Sequence, residues 1–235
     1  MTRKPLRGLY AVTPEALSGA ALSVFPAADS LSAPQADAAG LTLSSQPLAD
    51  GSYAAQIDLN SVRLPASHLL AEGAAAEAAL TRAYDETLVL TRVELLALVR
   101  SMLSMTQGYL RARIQFGKPI GTFQSLQHRT VDLLIQQELT ASVVTQALAL
   151  LDDPAADASA RSALASRVKS RASDAGLQVA REAVQLHGAI GVTDEYDLGL
   201  YLQRALVLAA WLGNGNQQRR RYANLTQNAT AQEHA

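Results

Sequence analysis

The stretch QLHGAIGVTDEYDLGLYLQRA, from Gln185 to Ala205, decides how the C-terminal part of this chain is built. Its apolar residues keep a helical spacing up to Leu186, and Gly188 follows where a helix commonly ends. An acidic cluster and a new apolar run from Leu198 then predict the start of another helix. By composition alone the stretch is a corner between two helices. Its exposed backbone amides and side chains could also receive a phosphate-bearing cofactor.

Helical periodicity continues on both sides of this corner. Apolar residues at every third or fourth position predict three long helices and a short fourth one. The apolar faces run through Leu80–Tyr109, Val131–Leu151, Leu164–Leu186 and Leu198–Leu212. Gly117 and Pro119 are expected to end the first helix, and Pro154 follows the second. Short connections favour antiparallel neighbours, so we predict an up-down four-helix bundle, with a frayed polar tail after Asn224.

The first part of the chain has a different pattern. Six of the 8 prolines lie before residue 66, which excludes long helices there. Tyr53 to Asn60 alternate between apolar and polar residues, as in a half-buried strand entered through the turn pair Asp50-Gly51. Weaker strand candidates are Leu9–Val12, Leu22–Phe25 and Leu41–Leu43. We therefore predict a mainly α protein in which a short, incomplete β-domain, residues 1–73, precedes a helical bundle, residues 74–235.

Composition and charge limit the possible functions. A formal net charge of −1 gives no general attraction to nucleic acid or to an anionic membrane. The absence of cysteine excludes disulfides, thiol nucleophiles and thiolate metal sites, and it fits a cytoplasmic location. No apolar run is long enough for a signal peptide or a membrane helix. We expect an intracellular protein that binds no nucleic acid, membrane or metal.

Three stretches of the helical region resemble the acyl-CoA dehydrogenase family and follow the family's order. They are RARIQFGKPIGTFQSLQHR (Arg111–Arg129), QLHGAIG with EYDLGLYLQRA, and WLGNGNQQRRR (Trp211–Arg221). The resemblance implies an FAD-dependent enzyme that desaturates an acyl-CoA thioester and passes electrons to an electron-transfer flavoprotein. It also implies a dimer or tetramer in which a neighbouring subunit holds much of the FAD.

The resemblance assigns FAD contacts to residues in all three stretches. These residues are Arg113, Phe116, Gln124, Gln185, Leu186, His187, Gly188, Ala189, Asn214, Gly215 and Asn216. Arg113 would contact the pyrophosphate with its fixed cationic fork, and Arg219 could meet a CoA phosphate. The alternatives are structural: a solvated cation at a helix end, an aromatic that anchors a turn, a structural histidine and a solvated charge run.

The sequence departs from the family most at the turn after Trp211. Typical members have a glutamate there that removes the α-proton, whereas this chain has Leu212, which can accept no proton. Some relatives carry the base on the first helix, at the position of Thr87, and Glu86 is one residue away and fits poorly. Glu94 is a weak candidate, for which a structural ion pair is the alternative explanation.

The family's N-terminal helical domain and much of its β-domain have no counterpart in this sequence. A truncated version of a longer gene and a short subunit with a catalytic partner both explain this, and the loss of the base favours the partner. We therefore predict an FAD-dependent acyl-CoA dehydrogenase that acts within a homo- or hetero-oligomer. The alternative is a non-catalytic assembly subunit that completes a partner's FAD site. A helical scaffold without flavin would require the motif matches to be coincidental.

Overall fold

The computed structural model describes residues 6–11, 25–27, 30–32, 39–63 and 65–233. Short strands near the N-terminus are followed by long helices. The helices are α1 (Gly73–Ala112), α2 (Gln124–Asp152), α3 (Ala158–His187), α4 (Leu198–Ala210) and α5 (Gly215–Glu233). The chain divides into two compact units, Met1–Ala83 and Tyr84–Ala235. No described helix combines the length and the apolar character needed to cross a membrane.

The first unit contains two small antiparallel sheets. Its strands are β1 (Leu6–Ala11), β2 (Phe25–Ala27), β3 (Ser30–Ser32), β4 (Leu41–Pro47), β5 (Tyr53–Leu59) and β6 (Leu69–Glu72). One sheet has the order β1-β5-β4 and the other the order β2-β3-β6. The predicted strand over Tyr53 to Asn60 is therefore confirmed as β5, the central strand of the first sheet. Of the weaker candidates, β4 contains Leu41–Leu43, while Val12 and residues 22–24 lie outside the described residues.

The turn before β5 forms as the sequence predicts. Gly51 has a φ of 79°, a conformation that glycine adopts without steric cost. The Asp50 carboxylate accepts hydrogen bonds from the Ser52 amide at 3.1 Å and from its hydroxyl at 2.6 Å. Ala55 and Ile57 are buried in a small apolar cluster, as the alternation predicts, but Ala54 on the opposite face is buried as well. Tyr53, the first residue of the strand, is instead exposed.

The second unit is organised around α3, which packs against α2, α4 and α5. One apolar cluster joins residues of α1 to α4, and it includes Leu95, Met102, Leu133, Val179, Ala183, Leu198 and Leu208. A second cluster includes Leu88, Val89, Leu96, Val144, Ala147, Ala165 and Val168. At Gly176 of α3 a Cβ atom would lie 2.8 Å from the Leu95 side chain, so glycine permits α1 to approach closely here.

The ends of α3 follow the sequence signals. The Asp157 carboxylate accepts a hydrogen bond from the Ala160 amide at 2.8 Å and caps the first turn. At the other end Gly188 has a φ of 65°, and its amide donates to the Gln185 and Val184 carbonyls. Glycine at this position confirms the predicted helix end, because other residues adopt a positive φ at a steric cost.

Four buried serines on α3 form a polar ladder, which we call the serine ladder: Ser162, Ser166, Ser170 and Ser173. Each is hydrogen bonded to a charged side chain. Ser162 donates to Asp85 of α1. Ser166 and Ser170 accept from arginines of α5, each at 2.9 Å, and Ser173 accepts from Lys169, also at 2.9 Å. The ladder ties α3 to the neighbouring helices through polar contacts as well as through the apolar core.

The mainly α architecture and the predicted bundle of α1 to α4 are confirmed. Helical structure also continues beyond the prediction, because α5 runs to Glu233, whereas the tail after Asn224 is expected to fray. The sequence of α5 is polar and lacks a long apolar stripe, so periodicity gives little sign of it. Polar contacts with α3 hold this helix instead.

Candidate functional site

The connection between α1 and α2 contains a tight hairpin with an exposed aromatic ring at its tip. Its strands are β7 (Ile114–Gln115) and β8 (Lys118–Pro119), which pair antiparallel. Phe116 and Gly117 link them with φ angles of 52° and 76°, as a type I′ turn requires. Phe116 is 91% exposed and touches Phe123 edge to face, with 6.0 Å between ring centroids. Such exposure argues against a ring that merely anchors the turn.

Arg113 and Gln124 lie at the two ends of this connection, and both are exposed. The backbone of Arg113 is fixed, because its amide donates to Tyr109 and its carbonyl accepts from Ile120, each at 2.8 Å. Among the described residues, the Arg113 guanidinium has no ion-pair partner. Gln124 is the first residue of α2, whose N-terminus has no side-chain cap. An exposed guanidinium and a helix N-terminus without a side-chain cap are both suited to bind an anion.

The corner at the end of α3 presents some predicted residues and buries others. Gln185, Gly188 and Ala189 are exposed, and a Cβ added at Gly188 would meet no atom within 4 Å. Leu186 and His187 are buried, with His187 2% exposed. The side chains of these two residues belong to the core, so only their backbone groups could contact a ligand.

His187 holds the corner together. Its Nδ1–H donates to the Ala183 carbonyl at 2.7 Å. Its ring stacks on Tyr109, with 4.6 Å between centroids, and lies 5.0 Å from Tyr196. Burial lowers the pKa of His187, and the hydrogen bond to Ala183 opposes this effect only in part, so the imidazole is neutral at neutral pH.

The stacking of Tyr109 on His187 brings the two connections together. Tyr109 lies in the last turn of α1 and its carbonyl accepts from the Arg113 amide. His187 is the last residue of α3. The hairpin connection and the Gln185 corner are therefore neighbours at one end of the bundle. We call residues 113–124 and 185–189 together the cofactor corner.

The third predicted stretch, which includes Asn214, Gly215 and Asn216, lies elsewhere. It follows α4, which begins shortly after the Gln185 corner and is 13 residues long. At 1.5 Å per residue, α4 places the two regions about 20 Å apart. One chain therefore does not bring all the predicted contacts to a single point. We call residues 208–218 the capped turn.

The carbonyls and side chains of the capped turn are bonded within the protein. The Asn214 side chain accepts from the Gln217 amide at 3.0 Å, and the Gln217 side chain accepts from the Asn214 amide at 2.8 Å. This reciprocal arrangement is a capping box at the start of α5. Asn216 accepts from Arg219 at 2.5 Å, and Gly215 is buried, with space for a Cβ blocked by Asp174 at 2.9 Å. The FAD contacts that the resemblance assigns to these residues remain a prediction.

Leu212 occupies the position at which the family's glutamate is expected. Its φ is 58°, and its carbonyl accepts from the Tyr84 hydroxyl and from the Gln218 side chain, both at 2.9 Å. Its side chain packs on the apolar cluster that contains Leu88 and Val168. The turn thus keeps a conformation that costs a non-glycine residue energy, while the side chain it presents has no proton-accepting group.

Two carboxylates of α1, Glu94 and Asp85, are engaged in ion pairs. Glu94, the weak candidate, accepts from the Arg204 Nε at 2.6 Å in a solvent-exposed pair with α4. Asp85 is buried and lies 2.7 Å from an Arg221 nitrogen. The structural ion pair considered for Glu94 is therefore present, with Arg204 of α4 as the partner. In the part of the chain that the structure describes, no group of three acidic or histidine side chains could hold a metal ion.

Two buried cations near the capped turn are not identified by the sequence analysis. Arg92 of α1 and Lys169 of α3 are each 0% exposed, and both reach the last carbonyls of α4. A sequence signal for them exists. Arg92 is spaced between Leu88 and Leu95 on an apolar face, and Lys169 precedes the apolar Ala172 by three residues. A charged residue within an apolar stripe marks a partnered or functional group.

Arg219, the predicted CoA contact, has its guanidinium occupied. It donates to Asp174 at 2.5 Å, to Ser170 at 2.9 Å and to Asn216 at 2.5 Å. It lies at one end of an open groove of about 400 Å³ between α2, α3 and α5, which Leu139 and Tyr222 also line. A CoA phosphate would compete with Asp174 for this arginine, and the contact remains a prediction.

Comparisons with known proteins place these features in context. Residues 78–225 match the family model described as acyl-CoA dehydrogenase, C-terminal domain. The chain is 39% identical over 137 residues to the acyl-CoA dehydrogenase IpdE2 of Mycolicibacterium smegmatis, covering 58% of this chain and 41% of that relative. The chain thus spans less than half of that relative's length.

Solved structures share the fold. The steroid ACAD Tcur3481-Tcur3483, as a G363A variant, superposes with a TM-score of 0.75 at 29% identity, over 86% of this chain and 53% of that chain. The ChsE4-ChsE5 complex of Mycobacterium tuberculosis superposes with a TM-score of 0.71 at 24% identity, over 83% of this chain and 51% of that chain. The second likeness concerns the fold alone.

Proposed function

This chain belongs to the acyl-CoA dehydrogenase family, and on that premise we propose that it completes an FAD site shared with a second dehydrogenase subunit. The reaction of the assembly is the α,β-dehydrogenation of an acyl-CoA thioester, and its electrons pass to an electron-transfer flavoprotein. When bound, FAD supplies the acceptor for the hydride that leaves the β-carbon. The observation that carries the proposal is the cofactor corner, where two separate connections meet and the side chains of Arg113, Phe116, Gln124 and Gln185 are exposed.

The residues of the cofactor corner suit a dinucleotide. Arg113 offers a planar cationic fork without a competing carboxylate among the described residues, which fits a pyrophosphate. Phe116 offers an exposed ring at a fixed position, which fits a flat ring system. Gln185 offers amide donors and acceptors beside the open backbone at Gly188. We assign these residues to binding and orientation of the cofactor.

The site is proposed to be shared because one chain supplies only part of it. The cofactor corner and the capped turn are separated by the length of α4. An exposed apolar row on α2 also offers a surface for another subunit; its residues are Val131, Leu134, Ile135 and Leu139. Exposed apolar rows of this kind are typical of protein interfaces. The similar structure at 29% identity is named for two components, Tcur3481-Tcur3483, which makes a heteromeric partner the first to test.

The α-proton must be removed by a group that this chain does not offer at the family's position. Leu212 packs into an apolar cluster, and Glu94 is held by Arg204. We therefore propose that the partner subunit supplies the base. This makes the alternative function, a non-catalytic assembly subunit, a specific version of the same proposal. The steroid ACAD among the similar structures makes a steroid-derived thioester the first substrate class to assay.

The test is co-expression with an acyl-CoA dehydrogenase chain encoded beside this one. The purified complex should show flavin absorbance bands and should oxidise acyl-CoA substrates. Replacing the partner's catalytic glutamate with glutamine should abolish turnover, whereas Leu212→Ala in this chain should leave flavin content unchanged. A purified complex without flavin would contradict the shared site. Turnover by this chain alone would contradict the assignment of the base to the partner.

A further inference from the structure

Arg92 and Lys169 converge on the last turn of α4. The Lys169 ammonium donates to the Ala209 carbonyl at 2.7 Å, to Ser173 at 2.9 Å and to the Leu208 carbonyl at 3.3 Å. Arg92 donates to the same Leu208 carbonyl at 2.7 Å and to Ser173 at 3.3 Å. The last carbonyls of a helix lack partners within the helix and carry its negative dipole end. Two cations from two helices therefore clamp the end of α4.

The geometry around Lys169 suits an ammonium group. A charged lysine has three N–H donors, and three acceptors surround its nitrogen. A neutral amine has two donors and a lone pair, so one of the three acceptors would lose its hydrogen bond. Leu208 and Ser173 also accept from Arg92, whereas the other side-chain donor to the Ala209 carbonyl is Ser173, at 3.4 Å. Loss of the proton would therefore loosen the clamp chiefly at the buried Ala209 carbonyl, where a lost donor is costly.

Burial and the neighbouring charges bring the pKa of Lys169 close to neutral pH. Burial, followed by the positive charge of Arg92, lowers the pKa of Lys169 to about 7, and Asp174 acts in the opposite direction. Burial also lowers the pKa of Arg92 to about 10, opposed by Glu94. The opposing carboxylates are themselves paired, Glu94 with Arg204 of α4 and Asp174 with Arg219 of α5.

The clamp lies directly before the capped turn. Trp211 follows the clamped carbonyls, and its amide donates to Val207 at 2.9 Å. Leu212 comes next, with its positive φ and its carbonyl held by Tyr84 and Gln218. A change in the clamp would thus move the entry to the turn while its exit stays fixed.

We propose that Arg92 and Lys169 are positioning residues for the Trp211–Gly213 turn, whose conformation follows the protonation state of Lys169. The protonated lysine holds the turn in the geometry described, and the neutral amine releases one of its contacts. The part this turn plays in a shared active site rests on the function proposed above, whereas the coupling between lysine and turn does not.

Trp211 is the single tryptophan of the chain and reports on the turn directly. We would record its fluorescence in the full chain between pH 5.5 and pH 9.5 at constant ionic strength, with circular dichroism to follow folding. The wild type should show one transition near pH 7. Lys169→Met and Lys169→Arg should both lose it, because neither side chain titrates in this range. Ser173→Ala should shift it to lower pH, because the ammonium loses an acceptor.

His128→Asn serves as the matched control, because it removes an exposed histidine of α2 and leaves the clamp intact. This variant should keep the transition unchanged. If Lys169→Met does not fold, Lys169→Arg and Ser173→Ala carry the test. A transition that survives in a folded Lys169 variant, or a wild type without one, would overturn the inference. If the chain shows the transition but its complex binds no flavin, the proposed function is wrong and the coupling between Lys169 and the turn still holds.

Discussion

The cofactor corner and the capped turn both carry motifs of one family, but their polar groups differ in exposure and in hydrogen bonding. At the cofactor corner Arg113, Gln124 and Gln185 are exposed, and Phe116 extends into solvent. At the capped turn, cations, a tyrosine and two glutamines bond the carbonyls and side chains from within the protein. Under the function proposed above, the first region binds a ligand and the second contributes to the stability of the fold. Substitutions in the two regions should therefore affect different measurements.

The largest effect should come from the pH dependence of stability at the clamp. The folded-state pKa of Lys169, about 7, lies below the ordinary value of 10.5, so the unfolded chain binds more protons between these values. Stability should therefore rise with pH across this window, by at most about 1.4 kcal/mol per pH unit. Urea unfolding of wild type and Lys169→Met at pH 7, 8 and 9 would measure this. Equal slopes for the two proteins would contradict the prediction.

Breaking the buried ion pair beside the capped turn should cost nearly as much. Asp85→Ala leaves the partly buried Arg221 without its carboxylate, and we expect a loss of about 3 kcal/mol in unfolding free energy. Asp174→Ala removes an exposed pair with Arg219 and is the matched control, with an expected loss below about 1 kcal/mol. Chemical denaturation of both variants compares them. Similar losses would mean that burial does not set the strength of the Asp85 pair.

At the cofactor corner the expected effect is on binding rather than stability. Arg113→Ala should weaken flavin binding by the complex about 10- to 100-fold, because a charge-assisted contact contributes about 1.5–3 kcal/mol. The thermal midpoint of the chain should change little, because the side chain is exposed and unpaired among the described residues. Arg220→Ala, an exposed arginine of α5, is the control. Unchanged flavin affinity in Arg113→Ala would remove the main support for the shared site.

Asn214→Ala separates capping from ligand binding at the capped turn. Loss of the capping box should lower the unfolding free energy by about 1 kcal/mol. Flavin affinity of the complex should stay within a factor of two if the role of Asn214 is structural. A loss of flavin affinity comparable with that of Arg113→Ala would instead support the FAD contact that the resemblance implies.

The smallest expected effect compares two residues with the same backbone conformation. Phe116 and Leu212 have φ angles of 52° and 58°, but the ring is exposed whereas the leucine packs on the core. Phe116→Gly should therefore raise stability by about 0.5–1 kcal/mol and weaken flavin binding. Leu212→Gly should lower stability, because it also loses apolar contacts. Thermal unfolding of both variants measures the signs, and a loss of stability in Phe116→Gly would show that its ring has a structural role.

Local patterns in the sequence account for most of the fold. The apolar spacing predicts α1 to α4, alternation predicts β5, and Gly188 marks the end of α3. The apolar spacing does not predict α5, because the contacts of this helix with α3 are polar and involve residues distant in sequence. Periodicity has no access to such contacts.

The candidate site is less predictable, because the state of each side chain depends on long-range packing. The motif does not reveal that His187 is buried between Tyr109 and Tyr196 while Arg113 stays unpaired among the described residues. Nor does it reveal that Asn214 is engaged by Gln217. The apolar stripes do place Arg92 and Lys169 on buried faces, so these two cations could be found by asking which charges interrupt a stripe.

Gly176 has a consequence for the alignment of the helices. Three residues of the serine ladder repeat at intervals of four, so a shift of α3 by four residues, about 6 Å, would again offer serines to the arginines of α5. Such a shift would instead bring Ala172 or Ala180 to the place where a Cβ cannot fit beside Leu95. The glycine therefore acts as a notch that selects one alignment among repeated ones.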